Sequence, residues 1–104
     1  MHELPFFVSD TRHRLLGKQI QLQFDDEFVL KLSPAEASSL SFALVAVRAG
    51  ISPEREIYMS PIASDAAFVG TVLESGVSIA TPKGALDLDW PNVGKLAEML
   101  AAAI

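Results

Sequence analysis

The sequence contains the same pattern twice: two short runs of alternating apolar and polar residues, a boundary marked by proline, and an apolar helix. The first copy spans residues 19–49 and the second spans residues 77–104. Alternation with a period of two is typical of strands that place one face on a core, whereas spacings of three and four are typical of helices. The chain is therefore predicted to contain two ββα units.

The alternation also predicts how the strands of the first copy pair. Pairing Phe24 with Phe28 places Leu22 opposite Leu30, and all the large side chains of the hairpin then share one face. The loop of this hairpin would be formed by residues 25–27. A shift of one residue would turn every one of these side chains to the opposite face, so the register is strongly specified.

The strands of the second copy require a different loop length. Ile79 must face Leu86 and Val77 must face Leu88 if the apolar residues are to share a face. This register needs a loop of two or four residues, rather than the three of the first hairpin.

Both helices have recognisable starts. Ser33, Pro34 and Glu36 form a capping box with proline in the first turn, which predicts a helix over about residues 34–49. A second start with proline in its first turn predicts a helix over about residues 91–104.

Three other segments complete the predicted domain of residues 1–104. Residues 1–18 are expected to form an edge strand followed by a polar turn, or a loosely docked arm. Residues 57–62 are expected to form a strand that Pro61 confines to an edge or ends early. Residues 64–75 fit a helical stripe or a strand, and the β-branched residues there favour the strand.

Together these elements predict one α+β domain, in which an antiparallel, meander-like sheet of four to six strands carries both helices on one face. Four leucines of the first copy recur 56 residues later in the second, as an internal ββα repeat would produce. The corresponding residues are Leu30, Leu32, Leu40 and Leu44, matched by Leu86, Leu88, Leu96 and Leu100. Any two units of a hairpin and a helix share such a binary pattern, however, so similarity without duplication is the alternative.

Composition narrows the classes of function. The net charge of −5 repels phosphate backbones and anionic lipids, so neither nucleic acid nor a membrane is an expected partner. The absence of cysteine excludes disulfides and thiolate ligands. The first residues lack the pattern of a signal peptide, and we expect a cytoplasmic protein. No motif assigns the chain to a known family or indicates a catalytic residue, a metal or a cofactor.

One cluster of side chains could bind a ligand. Arg12, His13 and Arg14 form a basic group in an acidic chain, which would suit a small anion or a catalytic site. Adjacent residues on an extended segment point in different directions, however, so a solvated turn is the favoured interpretation.

The side chains predicted to make contact with a partner are Phe42, Val45, Ala46 and Trp90. The first three lie outside the core stripe of the first helix, and Trp90 lies at the start of the second, where packing onto the sheet is the favoured alternative. Four phenylalanines on predicted apolar faces without basic neighbours argue against a platform for stacking bases. They are Phe24, Phe28, Phe42 and Phe68.

Half of the residues are hydrophobic, which is a high fraction for a soluble protein of this size, and some of this apolar surface is expected to lie against a partner. The chain also has no catalytic motif. The expected function is therefore that of a protein-interaction module, adaptor-like, chaperone-like or regulatory, which associates with itself as a homodimer or with another protein. The alternative is a small domain that binds an anionic ligand or catalyses a reaction at Arg12, His13 and Arg14.

Overall fold

The computed structural model describes residues 4–24 and 28–104, which form an α+β fold in the order βββα followed by ββββα. The strands are β1 (Phe7–His13), β2 (Gly17–Gln23), β3 (Val29–Leu32), β4 (Glu56–Met59), β5 (Phe68–Leu73), β6 (Gly76–Thr81) and β7 (Gly84–Asp89). The helices are α1 (Pro34–Arg48) and α2 (Trp90–Ala103). The predicted fold class is confirmed.

The strands form two antiparallel meanders. One has the order β1-β2-β3 and the other the order β4-β5-β6-β7, and α1 connects them. The expectation of an antiparallel meander is confirmed, with the addition that its strands divide between two sheets. Helix α1 separates β3 from β4 in the chain, and the two sheets enclose a common core with both helices.

The first predicted hairpin has the expected register. Leu22 lies opposite Leu30, and the Phe24 amide donates to the Phe28 carbonyl oxygen at 3.0 Å. The two phenylalanine rings stack with their centroids 5.6 Å apart. The predicted loop at residues 25–27 lies outside the described residues.

The second predicted hairpin also has the expected register, with Ile79 opposite Leu86 and Val77 opposite Leu88. Thr81 pairs with Gly84, so the loop contains two residues. Parity left loops of two and four residues open, and the structure has the shorter one.

Both helix starts are formed as predicted. The Ser33 hydroxyl accepts from the Glu36 amide at 3.1 Å, while the Glu36 carboxylate accepts from the Ser33 amide at 2.8 Å. At α2, the Asp89 carboxylate accepts from the Asn92 amide at 3.0 Å. These bonds satisfy backbone donors that the first turn of a helix leaves free.

The two predicted units meet at equivalent positions. The Ser41 hydroxyl of α1 donates to the Ala97 carbonyl oxygen of α2 at 2.8 Å, and these residues are 56 positions apart in sequence. This bond therefore joins two positions that correspond to each other in the repeated pattern.

Two uncertain segments are strands. Residues 68–73 form β5, as the β-branched residues favoured, and β4 is an edge strand that ends before Pro61. Strand β1 extends to His13, through polar residues that the sequence predicted as a turn. The reason is its pairing with β2 along all seven of its residues.

The loop between β4 and β5 is tied by side chains to α1 and to the first sheet. The Glu36 carboxylate, already part of the capping box, also accepts from the Ile62 amide at 3.1 Å. The Ser64 hydroxyl accepts from the Lys31 amide at 2.6 Å and donates to the Lys31 carbonyl oxygen at 3.0 Å. Ser64 thus occupies the free edge of β3.

Candidate protein-interaction surface

Helix α1 and its C-cap Ala49 present an exposed surface of uncharged side chains, bordered by the exposed Arg48 at the end of the helix. We call this surface the α1 outer face. Its largest members are Phe42, which is 75% exposed, and Val45, which is 49% exposed. Leu40 and Leu44 point to the opposite side and are fully buried. The α1 outer face consists of Ala35, Ser38, Ser39, Phe42, Val45 and Ala49.

The repeated pattern assigns to Phe42 a corresponding residue in α2. Counting 56 residues onward from Phe42 reaches Glu98, which is also exposed. The same shift from Ser39 reaches Lys95. At these corresponding positions α2 therefore exposes charged side chains, whereas α1 exposes a phenylalanine and a serine.

Two residues predicted for the interface have other contacts. Ala46 is buried, because the Ile51 and Ser52 amides both donate to its carbonyl oxygen and bring the connector over the end of α1. Trp90 is half-buried against the core, and its indole Nε1–H donates to the Glu74 carbonyl oxygen at 2.7 Å. Of the four predicted residues, Phe42 and Val45 are the more exposed.

Of the four phenylalanines on predicted apolar faces, three are buried and one is exposed. Phe24, Phe28 and Phe68 are buried in the common core, whereas Phe42 is outside it. Phe68 lies beside Phe24, with ring centroids 6.1 Å apart. Phe42 also lies on an apolar helical pattern, but it stays exposed because α2 and the sheets pack against the other sides of α1.

Arg12, His13 and Arg14 lie at the end of the β1–β2 hairpin. With Leu15 they line an open hollow of about 540 Å³. His13 Nδ1 accepts from the Leu15 and Leu16 amides, each at 3.1 Å, which holds the turn in place. All three basic side chains are exposed, so the turn brings them together without enclosing a site.

The sequence did not indicate several other exposed apolar side chains. Leu15 at the hairpin turn and Ile62 in the loop between β4 and β5 are 89% and 96% exposed. Leu16 and Ile62 line the same hollow of about 170 Å³ beside the start of α1. Their exposure depends on the turns that carry them, so no periodic pattern could have revealed it.

Two features are absent from residues 4–24 and 28–104. Within these ranges, no group of three or more His, Asp or Glu side chains is arranged to hold a metal ion. No helix there is long and apolar enough to cross a membrane.

Comparisons of the chain with protein-family models, curated proteins and solved structures find no match.

Proposed function

We propose that this protein is a small cytoplasmic protein-interaction module that associates with itself and binds a partner protein on the α1 outer face. The observation that carries the proposal is Phe42, a large apolar side chain exposed in the middle of an uncharged helical surface. Aromatic side chains surrounded by small uncharged residues are typical centres of protein interfaces.

The energetics favour a covered state of this surface. Removing a phenylalanine side chain from water contributes about 1.5–3 kcal/mol, and Val45 would add to this in the same contact. The serine and alanine neighbours lose little side-chain entropy when a partner covers them. Covering the α1 outer face would therefore contribute favourably to the free energy of binding, at a small cost in side-chain entropy.

The Phe42→Glu variant tests the proposal, because it gives α1 the residue that α2 carries at the equivalent position. We expect unchanged folding, since Phe42 packs outside the core, and loss of partner capture in affinity purification from the native cells. Ile62→Glu is the matched control, since it places the same charge at another exposed apolar position.

Self-association is scored separately, by capture of a second copy that carries a different tag and by sedimentation of the purified protein. Wild-type protein is expected to sediment above the 11.2 kDa of one chain. If Phe42→Glu captured the same proteins as wild type, the α1 outer face would not be the binding surface.

A second candidate function is the binding of a small anion at the β1–β2 turn. It is favoured by the hollow that Arg12, His13 and Arg14 line together. Inorganic phosphate should then raise the melting temperature of wild-type protein, because a ligand that binds the folded state stabilises it. The variant with alanine at all three positions should lose this shift. Absence of any shift in wild type at millimolar phosphate would argue against the anion site.

A further inference from the structure

Strand β1 is an edge strand that offers a long pairing surface. Its seven residues are all exposed or half-buried, and it forms one edge of the three-stranded sheet. An unpaired strand edge exposes backbone donors and acceptors to which another strand can bind.

The other three edges are protected in ways that natural sheets commonly use. The Ser64 hydroxyl bonds to the edge of β3, and β4 is only four residues long. In β7 the charged residues are Asp87 and Asp89, both acidic, which opposes pairing with an identical strand. Strand β1 instead carries both signs of charge, at Asp10 and Arg12.

Symmetry restricts how two β1 strands can pair. Two copies in one antiparallel sheet are related by a two-fold axis perpendicular to it, and alternation of side chains requires this axis to pass through one pair of identical residues. With Asp10 or Arg12 on the axis, two like charges would lie directly opposite each other, which is unfavourable. With Thr11 on the axis, each Asp10 lies opposite the Arg12 of the second copy.

The same register determines which residues of β1 are paired. Ser9 falls opposite His13 of the second copy, and His13 is the last residue of β1 before the turn. Residues 9–13 of each copy therefore form the paired stretch, with the opposite charges on either side of Thr11.

Within one chain, the hairpin leaves an excess of positive charge at this place. Arg12 lies directly opposite Lys18 in the pairing of β1 with β2. The Asp10 carboxylate lies 3.9 Å from the Lys18 Nζ. Asp10 is the one acidic residue of β1, so it is the only negative charge that this strand offers to Arg12 and Lys18. Asp10 of a second copy would add the missing negative charge beside Arg12.

We propose that two copies of this chain join through antiparallel pairing of their β1 strands, with Thr11 on the two-fold axis, so that their three-stranded sheets become one continuous sheet. The inference rests on the proposed self-association and adds its surface, its symmetry and its register.

Cross-linking tests the register directly, because the chain contains no cysteine of its own. In the Thr11→Cys variant the two introduced residues face each other with Cα atoms about 4.5–5.5 Å apart, within the range of a disulfide. Mild oxidation should therefore give a covalent dimer in high yield. In the control Ser9→Cys the two cysteines are offset by four residues, about 13 Å, and should remain free. Equal yields from the two variants would overturn the register.

Charge exchange tests the pairing of Asp10 with Arg12. Asp10→Arg alone and Arg12→Asp alone should each weaken the dimer about ten-fold or more, since like charges then oppose each other twice. A mixture of the two single variants should form a heterodimer with affinity near that of wild type, because both of its cross-strand pairs are again opposite in sign. The double variant should likewise restore the homodimer. Failure of both rescues, with circular dichroism showing folded chains, would contradict the proposed contact.

The outcomes separate this inference from the proposed function. A dimer of wild-type protein in which Thr11→Cys does not cross-link would overturn the β1 contact and leave self-association standing. A monomeric wild-type protein at all concentrations would also overturn the contact, whereas partner capture through Phe42 would still be decided by the Phe42→Glu experiment.

Discussion

Replacing Gly76 with alanine is expected to destabilise the domain by about 3–5 kcal/mol, because backbone strain and a main-chain collision act at the same residue. An added Cβ would overlap the Leu88 carbonyl oxygen and lie 2.8 Å from the carbonyl carbon of Leu88. Neither atom can move away easily, since both belong to β7, which pairs with β6 along six positions. Urea unfolding followed by circular dichroism measures the change in free energy.

The consequence extends to the start of α2. Gly76 lies opposite Asp89, the N-cap of that helix, and the turn that precedes Gly76 provides the carbonyl oxygen of Glu74 to which Trp90 donates. Displacing this turn should loosen the indole. Trp90 is the single tryptophan of the chain, so a red shift of its emission in Gly76→Ala would report the movement.

Gly84→Ala is the matched control. Gly84 also has a positive φ of 118°, but an added Cβ there would meet nothing within 4 Å. Its cost should therefore be limited to backbone strain, about 1–3 kcal/mol. Equal destabilisation by the two variants would show that the collision with Leu88 does not determine the stability.

Replacing Phe68 with alanine is expected to cost about 3–5 kcal/mol, the range found when a fully buried aromatic side chain is truncated. Phe68 has no exposed surface, and its ring lies beside Phe24 of the first sheet. The substitution would therefore leave a cavity where the two sheets meet. Small domains have a total stability of about 5–15 kcal/mol, so much of the native state would be lost.

Phe42→Ala provides a control with the same residue type and the same atoms removed. Because the Phe42 ring is 75% exposed, its removal should change the stability by no more than about 0.5 kcal/mol. Chemical denaturation of the two variants under identical conditions makes the comparison. If Phe42→Ala lost as much stability as Phe68→Ala, Phe42 would belong to the core and could not serve as a free binding surface.

The pairing of the two predicted hairpins could be predicted because each strand has a single buried face. Side chains alternate between the two faces of a strand, so a shift of one residue would turn the apolar partners of Leu22 and Ile79 to the exposed face. Few registers were therefore compatible with burial. The helix starts were predictable for a local reason, since Ser33 and Glu36 bond to each other's backbone amides within one turn.

The division of the strands into two sheets could not be predicted in this way. Alternation reports which face of a strand is buried, and contains no information on which other strand lies at its edge. The polar residues of β1 also depend on a neighbouring strand that their own pattern does not reveal. Thr11 and Arg12 belong to a strand because β2 pairs with them, although their own side chains favour exposure.

Only part of the candidate surface could be predicted, because the coverage of a residue also depends on segments far from it in sequence. The pattern of α1 showed that one sheet could not cover Phe42, Val45 and Ala46 together. Only the connector after α1 decided that Ala46 is buried, and only the Glu74 carbonyl oxygen decided how Trp90 is held. Such contacts join residues whose spacing carries no periodic signal.

Four features could be predicted from local patterns of residues: the strands with one apolar face, the registers of two hairpins, both helix starts and an excess of apolar residues on the first helix. The packing of the segments then showed which of those residues are covered, that Phe42 and Glu98 both face water, and that β1 is an edge strand. Periodicity and capping are local properties of the chain. Exposure of a surface depends instead on every segment that packs, or does not pack, against it.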